Sequence, residues 1–277
     1  MKILVLGSEG QIGKPLCKFL REQGHEVLGL DLVHGVRQDL RHIDSLMKAT
    51  YFRWADFVYF LAWDVGGSKY LSKYEKTIDF LNNNIDIMKN VFNTLEEYKL
   101  PFIFTSTQMS NILHSSYGTL KHLGEFYTNI LGGLNIKFNN IFGYEGNDPL
   151  KHHVITDFIN MAKKDGIIKS LTTGLEERQF LHTDDSSIAL YTLLQKYNEL
   201  DKTRDYCITN FEWNTIREVA QLVADEFPGC KLEFARKSDT VQGGYKNEPD
   251  DYILQYWQPK YTLKEGIQKV IKDMENE

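Results

Sequence analysis

The chain is poor in cysteine. Its three cysteines, Cys17, Cys207 and Cys230, are scattered among 277 residues without the spacing of a metal site. That excludes a disulfide framework and a cysteine-based zinc cluster, and it fits reduced thiols in a cytoplasmic protein with no bound metal. There is no excess of basic residues: 32 Lys and Arg face 38 Asp and Glu, for a net charge of −6. Neither nucleic acid nor an anionic membrane is therefore expected as a general partner. No uninterrupted apolar run approaches the ~20 residues that a membrane helix needs. The opening MKILVLG leads straight into a strand, so no signal peptide is expected. Repeats, low-complexity segments and Pro/Gly/Ser-rich linkers are also missing. The remaining composition, 42% hydrophobic and 25% charged, supports a sizeable core in one large domain or two closely packed lobes.

The first half alternates strand and helix. Apolar runs of strand length occur at 2–6, 26–30, 56–61, 102–105 and 134–141. Helical periodicity separates them at 11–23, 78–98 and 118–131, with Ile12, Leu16, Phe19 and Leu20 sharing one face of the first. Gly24 ends that helix, and Pro101 precedes the fourth strand. Strands joined by helices of this length predict right-handed parallel crossovers. The fold class is α/β, a Rossmann doubly wound parallel sheet with a smaller C-terminal α/β substrate lobe. Residues 1–144 form the dinucleotide-binding domain, with 177–208 contributing back to it, and residues 145–277 form the smaller lobe. Further helices are expected near 154–164, 185–197, 215–227 and 263–274.

Between the first strand and first helix runs Gly7-Ser-Glu-Gly10-Gln11-Ile12-Gly13. Glycines at such a junction let the chain turn tightly, bring backbone N–H groups to a pyrophosphate and pack helix on strand. The spacing is GxxGxxG, weak by itself and informative by its position. Asp31 closes the second strand, where a carboxylate accepts hydrogen bonds from an adenosine ribose and repels a 2′-phosphate. The expected cofactor is NAD, although His34 and Arg37 lie close enough in sequence to soften that repulsion. The plainer reading of Asp31 is a turn aspartate.

Tyr117 precedes Lys121 by four residues, at the start of a helix. A second Tyr-x-x-x-Lys, Tyr256 to Lys260, shows that the spacing alone means little. Context separates them. Tyr117 follows the strand FIFTST, whose carboxyl end carries Thr105, Ser106 and Thr107, and ligands of open parallel sheets sit beyond the carboxyl ends of strands. The second pair is interrupted by Pro259.

With these motifs in order, the chain resembles the extended short-chain dehydrogenases/reductases, in particular the NAD-dependent epimerase/dehydratase group that acts on nucleotide-linked sugars. FIFTST resembles the family's catalytic Ser/Thr strand and YGTLK its YxxxK. Asp39-Leu40 is similar to the pair beside the adenine, and Leu61-Ala62 to the loop under the cofactor, with Trp63 either lining the cofactor or merely packing. Asn84 with Asn90 resembles the NVxGTxN helix, Asn140-Ile-Phe-Gly143 the NVYG motif, and Arg178 to Asp185 the RDFxxVDD motif. Tyr261 to Gly266 resembles the start of the final helix. The resemblance implies Thr107, Tyr117 and Lys121 as catalytic residues, with Ser106 or Ser110 as substitutes for Thr107. It implies a phenolate stabilised by the Lys121 ammonium and by the positive nicotinamide together, lowering the tyrosine well below its ordinary pKa of ~10. It also implies a homodimer through a four-helix seam, with Leu95, Leu120 and Phe126 compatible with that seam or with an intrachain core.

Family dehydratases carry Asp-Glu directly after the catalytic Thr; here Gln108 and Met109 stand there, so dehydration is not expected. The cysteine base of GDP-fucose-type reductase/epimerases is likewise replaced by Met109. Two features of that group remain: Val65-Gly66-Gly67 resembles its substrate loop, and His153 its acid/base histidine. Asn140 and Arg178 are the expected nucleotide-sugar ligands, an arginine fork matching a pyrophosphate. The plainer readings are an Arg178 ion pair with Glu176 or Glu177, His153 as a surface or capping residue, and Asp184-Asp185 as a helix cap. Tyr117 follows Thr107 by only ten positions, where the resemblance implies a much longer loop. The expected activity is NAD-dependent oxidation or epimerisation at C4 of a nucleotide-activated sugar. The alternatives are an NAD(P)H-dependent 4-keto-sugar reductase and a non-catalytic NAD-binding protein.

Overall fold

The computed structural model describes residues 1–112, 114–146, 148–239 and 246–276. Its first half contains β1 (Lys2–Leu6), α1 (Gly13–Glu22), β2 (Glu26–Leu30), the single turn α2 (Ser45–Met47), β3 (Phe57–Phe60), α3 (Ser68–Tyr74), α4 (Ile78–Tyr98), β4 (Phe102–Thr107), α5 (Ser116–Leu131) and β5 (Leu134–Phe138). Then come β6 (Asn140–Phe142), α6 (Val154–Asp165), β7 (Ile167–Ser170), β8 (Glu177–Arg178), β9 (Phe180–His182), α7 (Thr183–Gln195) and β10 (Asp205–Ile208). The chain closes with β11 (Asn214–Thr215), α8 (Ile216–Asp225), β12 (Lys231–Phe234) and α9 (Leu263–Glu275).

Six parallel strands form the central sheet in the order β10-β5-β4-β3-β1-β2. Because helices cover both faces, strands such as FVYF and FIFTST are buried on both sides and read as continuous apolar runs. Along β1, Ile3 and Val5 join Leu16, Leu20, Leu190 and Leu193 in the core under α1 and α7. Leu4 and Leu6 face the opposite way, onto Met88, Val91 and Phe92 of α4. The chain leaves β1 to β2 on one side and returns to β3 on the other. That reversal opens a crevice at the carboxyl ends of the strands, where ligands of such sheets bind.

The expected strand 134–141 breaks at Asn139. β5 stays in the central sheet, while β6 turns away and pairs with β9, Asn140 N–H donating to the Gln179 carbonyl at 3.2 Å. β10, at the sheet edge, pairs with β5, and α7 packs on α1 with Phe19 edge-on to Tyr191. A separate apolar cluster joins α6, α8 and α9 through Phe158, Ile159, Val219, Val223, Ile267 and Val270. Two short pairings, β7 with β12 and β8 with β11, flank it. Among the described residues no helix is long and apolar enough to cross a membrane.

Candidate active site

The glycine loop is held by sterics. Gly7 has φ +85°, and a Cβ on it would lie 2.8 Å from the Ala62 Cα; one on Gly13 would lie 2.0 Å from the Gly7 carbonyl oxygen. Turn, β3 loop and α1 are therefore pressed together at the helix N-terminus, where free N–H groups and the helix dipole favour an anion. Gly10, Gln11 and Ile12 line the same wall. Ser8 Oγ and Gln11 Nε2 are buried without a partner. The Asp31 carboxylate accepts the Glu9 N–H at 3.0 Å and the Val33 N–H at 3.2 Å, which fixes it at the end of β2. His34 is turned to Glu9 at 3.2 Å. Arg37 is exposed and is not part of the cleft wall. Arg37 is therefore not placed to offset Asp31, whereas His34 lines the cleft beside it.

Asp39 and Leu40 continue the wall, but the Asp39 carboxylate is taken up by Arg41, which donates through Nε at 2.9 Å and Nη2 at 2.7 Å. The Arg41 guanidinium holds that carboxyl below its ordinary range. Arg41 also donates to Asn83, Asn83 to Asp64 at 2.9 Å, and Tyr70 to Asp64 at 2.5 Å. Asn84, expected at the cofactor, is fully enclosed and does not line the cleft. Its amide instead accepts the Asp64 N–H at 2.8 Å and donates to the Asp64 and Phe80 carbonyls. It positions the loop that carries Leu61, Ala62 and Trp63.

At the end of β4 the Thr107 hydroxyl is hydrogen-bonded to the Tyr117 hydroxyl and accepts the Met109 N–H at 3.2 Å. So short a connection is possible because a 3-10 turn, Gln108–Asn111, lies directly on the start of α5. A Cβ on Gly118 would sit 2.2 Å from the Met109 carbonyl oxygen. Ser115 caps α5, accepting the Gly118 N–H at 3.1 Å. The substitutes for Thr107 point elsewhere: Ser106 donates to Glu125 at 2.5 Å, and Ser110 is buried outside the cleft wall. Lys121 is buried, donates to the Thr105 carbonyl at 2.6 Å, and lies 3.9 Å from the centre of the Trp63 ring. Trp63 thus both lines the cleft and packs, with its ring 5.9 Å from Phe104.

The expected lowering of the Tyr117 phenol is not present in the protein alone. Burial pushes it up, to about 12, while the Thr107 hydrogen bond pulls it down. Burial likewise lowers the Lys121 ammonium to about 7, opposed by Glu125. In a dry site both groups favour their neutral forms. The second Tyr-x-x-x-Lys lies apart from the cleft, with Tyr256 hydroxyl-to-hydroxyl with Tyr252 at 3.3 Å.

The whole cleft, from the glycine loop past this pair to the segment around His153, has a volume of about 1880 Å³. Val65, Gly66 and Gly67 form one wall, and Gly67 N–H donates to the Lys151 carbonyl at 3.0 Å, tying the loop to the segment that carries His153. Glu145 clamps His153 twice, accepting its backbone N–H at 2.8 Å and binding its Nδ1. Burial works against a charged His153, yet the Glu145 carboxylate outweighs it and raises the ring above its ordinary value. Lys69 pairs with Asp157 at 2.8 Å nearby. Asn140 lines the cleft with its side-chain amide donating to the Gln179 carbonyl at 3.1 Å. Buried Arg178 pairs with Asp239, rather than with the carboxylates of Glu176 or Glu177, and donates to the Glu177 carbonyl at 2.6 Å. The expected Asp184-Asp185 cap is corrected: His182 Nδ1 accepts the Asp184 N–H at the start of α7, and Asp185 instead accepts the Lys260 and Tyr261 N–H groups at 3.0 and 2.9 Å.

Sequence reasoning missed Arg41, Glu125 and Glu145. Arg41 stands two residues from Asp39 and was open to discovery as its partner. Glu145 precedes His153 by eight residues across an irregular loop, a separation no periodicity marks. Among the described residues no group of three or more His, Cys, Asp and Glu side chains is placed to hold a metal ion.

Residues 3–209 match the family model described as the NAD dependent epimerase/dehydratase family. The chain is similar to GDP-L-fucose synthase 1 of Arabidopsis thaliana, with 27% identity over 309 residues, covering 96% of this chain and 90% of that protein. Among solved structures it is similar to an epimerase of Methanothermobacter thermautotrophicus (TM-score 0.86, 18% identity, 99% of this chain and 92% of that one). It is also similar to a GDP-6-OMe-4-keto-L-xylo-heptose reductase of C. jejuni (TM-score 0.81, 18% identity, 99% and 97%). At such identities the structural likeness concerns the fold.

Proposed function

The chain belongs to the NAD-dependent epimerase/dehydratase family, and from that premise we propose that it carries out redox chemistry at C4 of a nucleotide-activated sugar. The observation that carries this reading is the Thr107–Tyr117 hydroxyl contact, with Lys121 one helical turn on, at the cleft end of β4. The cleft fits NAD: Gly7 and Gly13 let the turn, the β3 loop and α1 close together under the cleft, and Ser8 Oγ and Gln11 Nε2 are polar atoms left without a protein partner. Gly7, Gly10, Gln11, Ile12 and Gly13 would hold the pyrophosphate, Asp31 the adenosine ribose, and Leu40, Leu61, Ala62 and Trp63 the intervening wall. NAD supplies the hydride acceptor and a cationic ring when bound.

The chain's own residues handle the proton. The sugar hydroxyl shares the dry space of Thr107 and Tyr117. Thr107 would orient it, and Tyr117, once ionised beside the cationic ring of bound NAD, would take its proton as hydride leaves the carbon, so that a ketone forms. Returning hydride to the opposite face, with Tyr117 returning the proton, yields the epimer; release of the ketone makes the protein a dehydrogenase. Asn140, Arg178, His153 and the loop Val65-Gly66-Gly67 would bind the sugar nucleotide. No carboxylate follows Thr107 to expel water.

A second reading is favoured by one observation. Tyr117 is held protonated, up at about 12, which suits a proton donor to a 4-keto sugar. In that reading the protein is a reductase.

We further propose a homodimer. Ile78 and Ile85 on α4, with Leu123, Phe126 and Ile130 on α5, expose an apolar stripe, whereas Leu95 and Leu120 are spent on the chain's own cores.

The test is a panel of GDP-, UDP- and dTDP-sugars. Formation of an epimer, or rising NADH absorbance, supports the first reading; consumption of NADH with 4-keto sugars supports the second. Absence of binding and turnover across the panel refutes the substrate class.

A further inference from the structure

We propose that Glu125 is a positioning residue for the active-site lysine: a buried carboxylate one helical turn beyond Lys121 that favours the charged ammonium against the effect of burial and, through Ser106, ties the helix to the strand bearing Thr107. The inference rests on Lys121 being the lysine of the acid–base pair proposed above.

Lys121 is 3% exposed. Its ammonium has the Thr105 carbonyl at 2.6 Å and the faces of Trp63 and Phe104 at 3.9 and 4.9 Å. Tyr117, one turn before it on α5, is a neutral phenol. One carbonyl and two aromatic faces replace only part of the hydration that an ammonium loses on burial. The missing compensation is a negative charge, and Glu125 supplies it, opposing the effect of burial on Lys121.

Glu125 is itself 4% exposed, so its own charge must be held. Three donors hold it: Ser106 Oγ from β4 at 2.5 Å, His122 Nδ1 from α5 at 3.0 Å, and Lys137 Nζ from β5 at 3.4 Å. Lys137 is drawn more strongly to Asp205 of β10, at 2.7 Å. That pairing leaves much of the Glu125 field directed at Lys121. The carboxylate is out of contact with the substrate cleft and acts only through Lys121.

The test is a titration of the whole protein without substrate. Lysine is labelled with ¹³C at Cε, the Lys121 resonance is identified by its disappearance in Lys121→Arg, and its shift is followed with pH. The wild-type midpoint is expected near about 7. Glu125→Gln, which keeps the shape and removes the charge, should lower that midpoint by about 1 pH unit or more. Two substitutions at the rim should move it oppositely: Lys137→Met upward, by removing a competing cation, and Asp205→Asn downward, by releasing Lys137 toward Glu125. A merely structural Glu125 would not produce this pair of opposite shifts. An unmoved midpoint in folded Glu125→Gln overturns the proposal. Should that variant not fold, shifts of equal sign in Lys137→Met and Asp205→Asn overturn it instead. Failure of every sugar nucleotide to react would refute the proposed function and leave this titration unaffected.

Discussion

The hydroxyls of Thr107 and Tyr117 meet in a hydrogen bond although only nine residues of chain separate them. A tight turn makes the meeting possible. Gln108–Asn111 folds onto the start of α5, where Gly118 leaves no room for a side chain under the Met109 carbonyl.

Tyr117→Phe should lower turnover by about a thousandfold, within the range for loss of a general acid or base, while NAD affinity changes less than about threefold. Thr107→Ala should lose turnover too and, with its hydrogen bond gone, leave Tyr117 still harder to ionise. Steady-state kinetics beside calorimetric NAD titration check both. Unchanged turnover in Tyr117→Phe would remove Tyr117 from the chemistry, and a wild type that binds NAD without turning over any sugar would instead identify a non-catalytic NAD-binding protein.

Gly13→Ala places a methyl group 2.0 Å from the Gly7 carbonyl, a backbone atom that cannot step aside without opening the loop. NAD affinity should fall at least about tenfold, and the protein should lose about 1–3 kcal/mol, the usual cost of overpacking. Isothermal titration with NAD and a thermal melt measure the two effects.

Glu145 and His153 make stability depend on pH with a definite sign. His153 is raised above 6.5, so its contribution is complete below 6.5 and is lost as pH climbs through the raised value. Glu145 is lowered below 4.5, so its contribution is complete above 4.5 and is lost as pH falls through the lowered value. The pair therefore stabilises most between 4.5 and 6.5. Glu145→Gln should reduce the fall of the urea midpoint on either side of that window and bring the His153 proton NMR midpoint down. A His153 midpoint unaltered by the substitution would contradict the clamp.

Phe126 is 55% exposed and Ile130 81%, side by side on the outer face of α5. If a second copy covers them, Phe126→Glu combined with Ile130→Glu should convert a dimer to a monomer in sedimentation velocity. The double variant should keep its fold, since neither side chain belongs to a core of its own chain. A wild-type protein that sediments as a monomer at micromolar concentration would remove the dimer.

The strand–helix alternation, the glycine turn and the Tyr117–Lys121 spacing were legible because each is encoded within a few neighbouring residues. Periodicity, turn chemistry and one-turn helical spacing are local properties. Gly7 and Gly13 are glycines for a reason that the sequence pattern already implied, and α4 spans the expected 78–98. Which hydroxyl of Thr105, Ser106, Thr107 and Ser110 meets Tyr117 was decided only by the pleat of β4 and the tight turn after it. Likewise Asn84 was drawn away from the cofactor wall by the backbone of Asp64. Arg178 found Asp239, 61 residues on, and Ser106 found Glu125, 19 residues on. Such pairings belong to no local pattern. Burial makes an unpaired charge costly, and the fold alone settles which distant group is near enough to answer it.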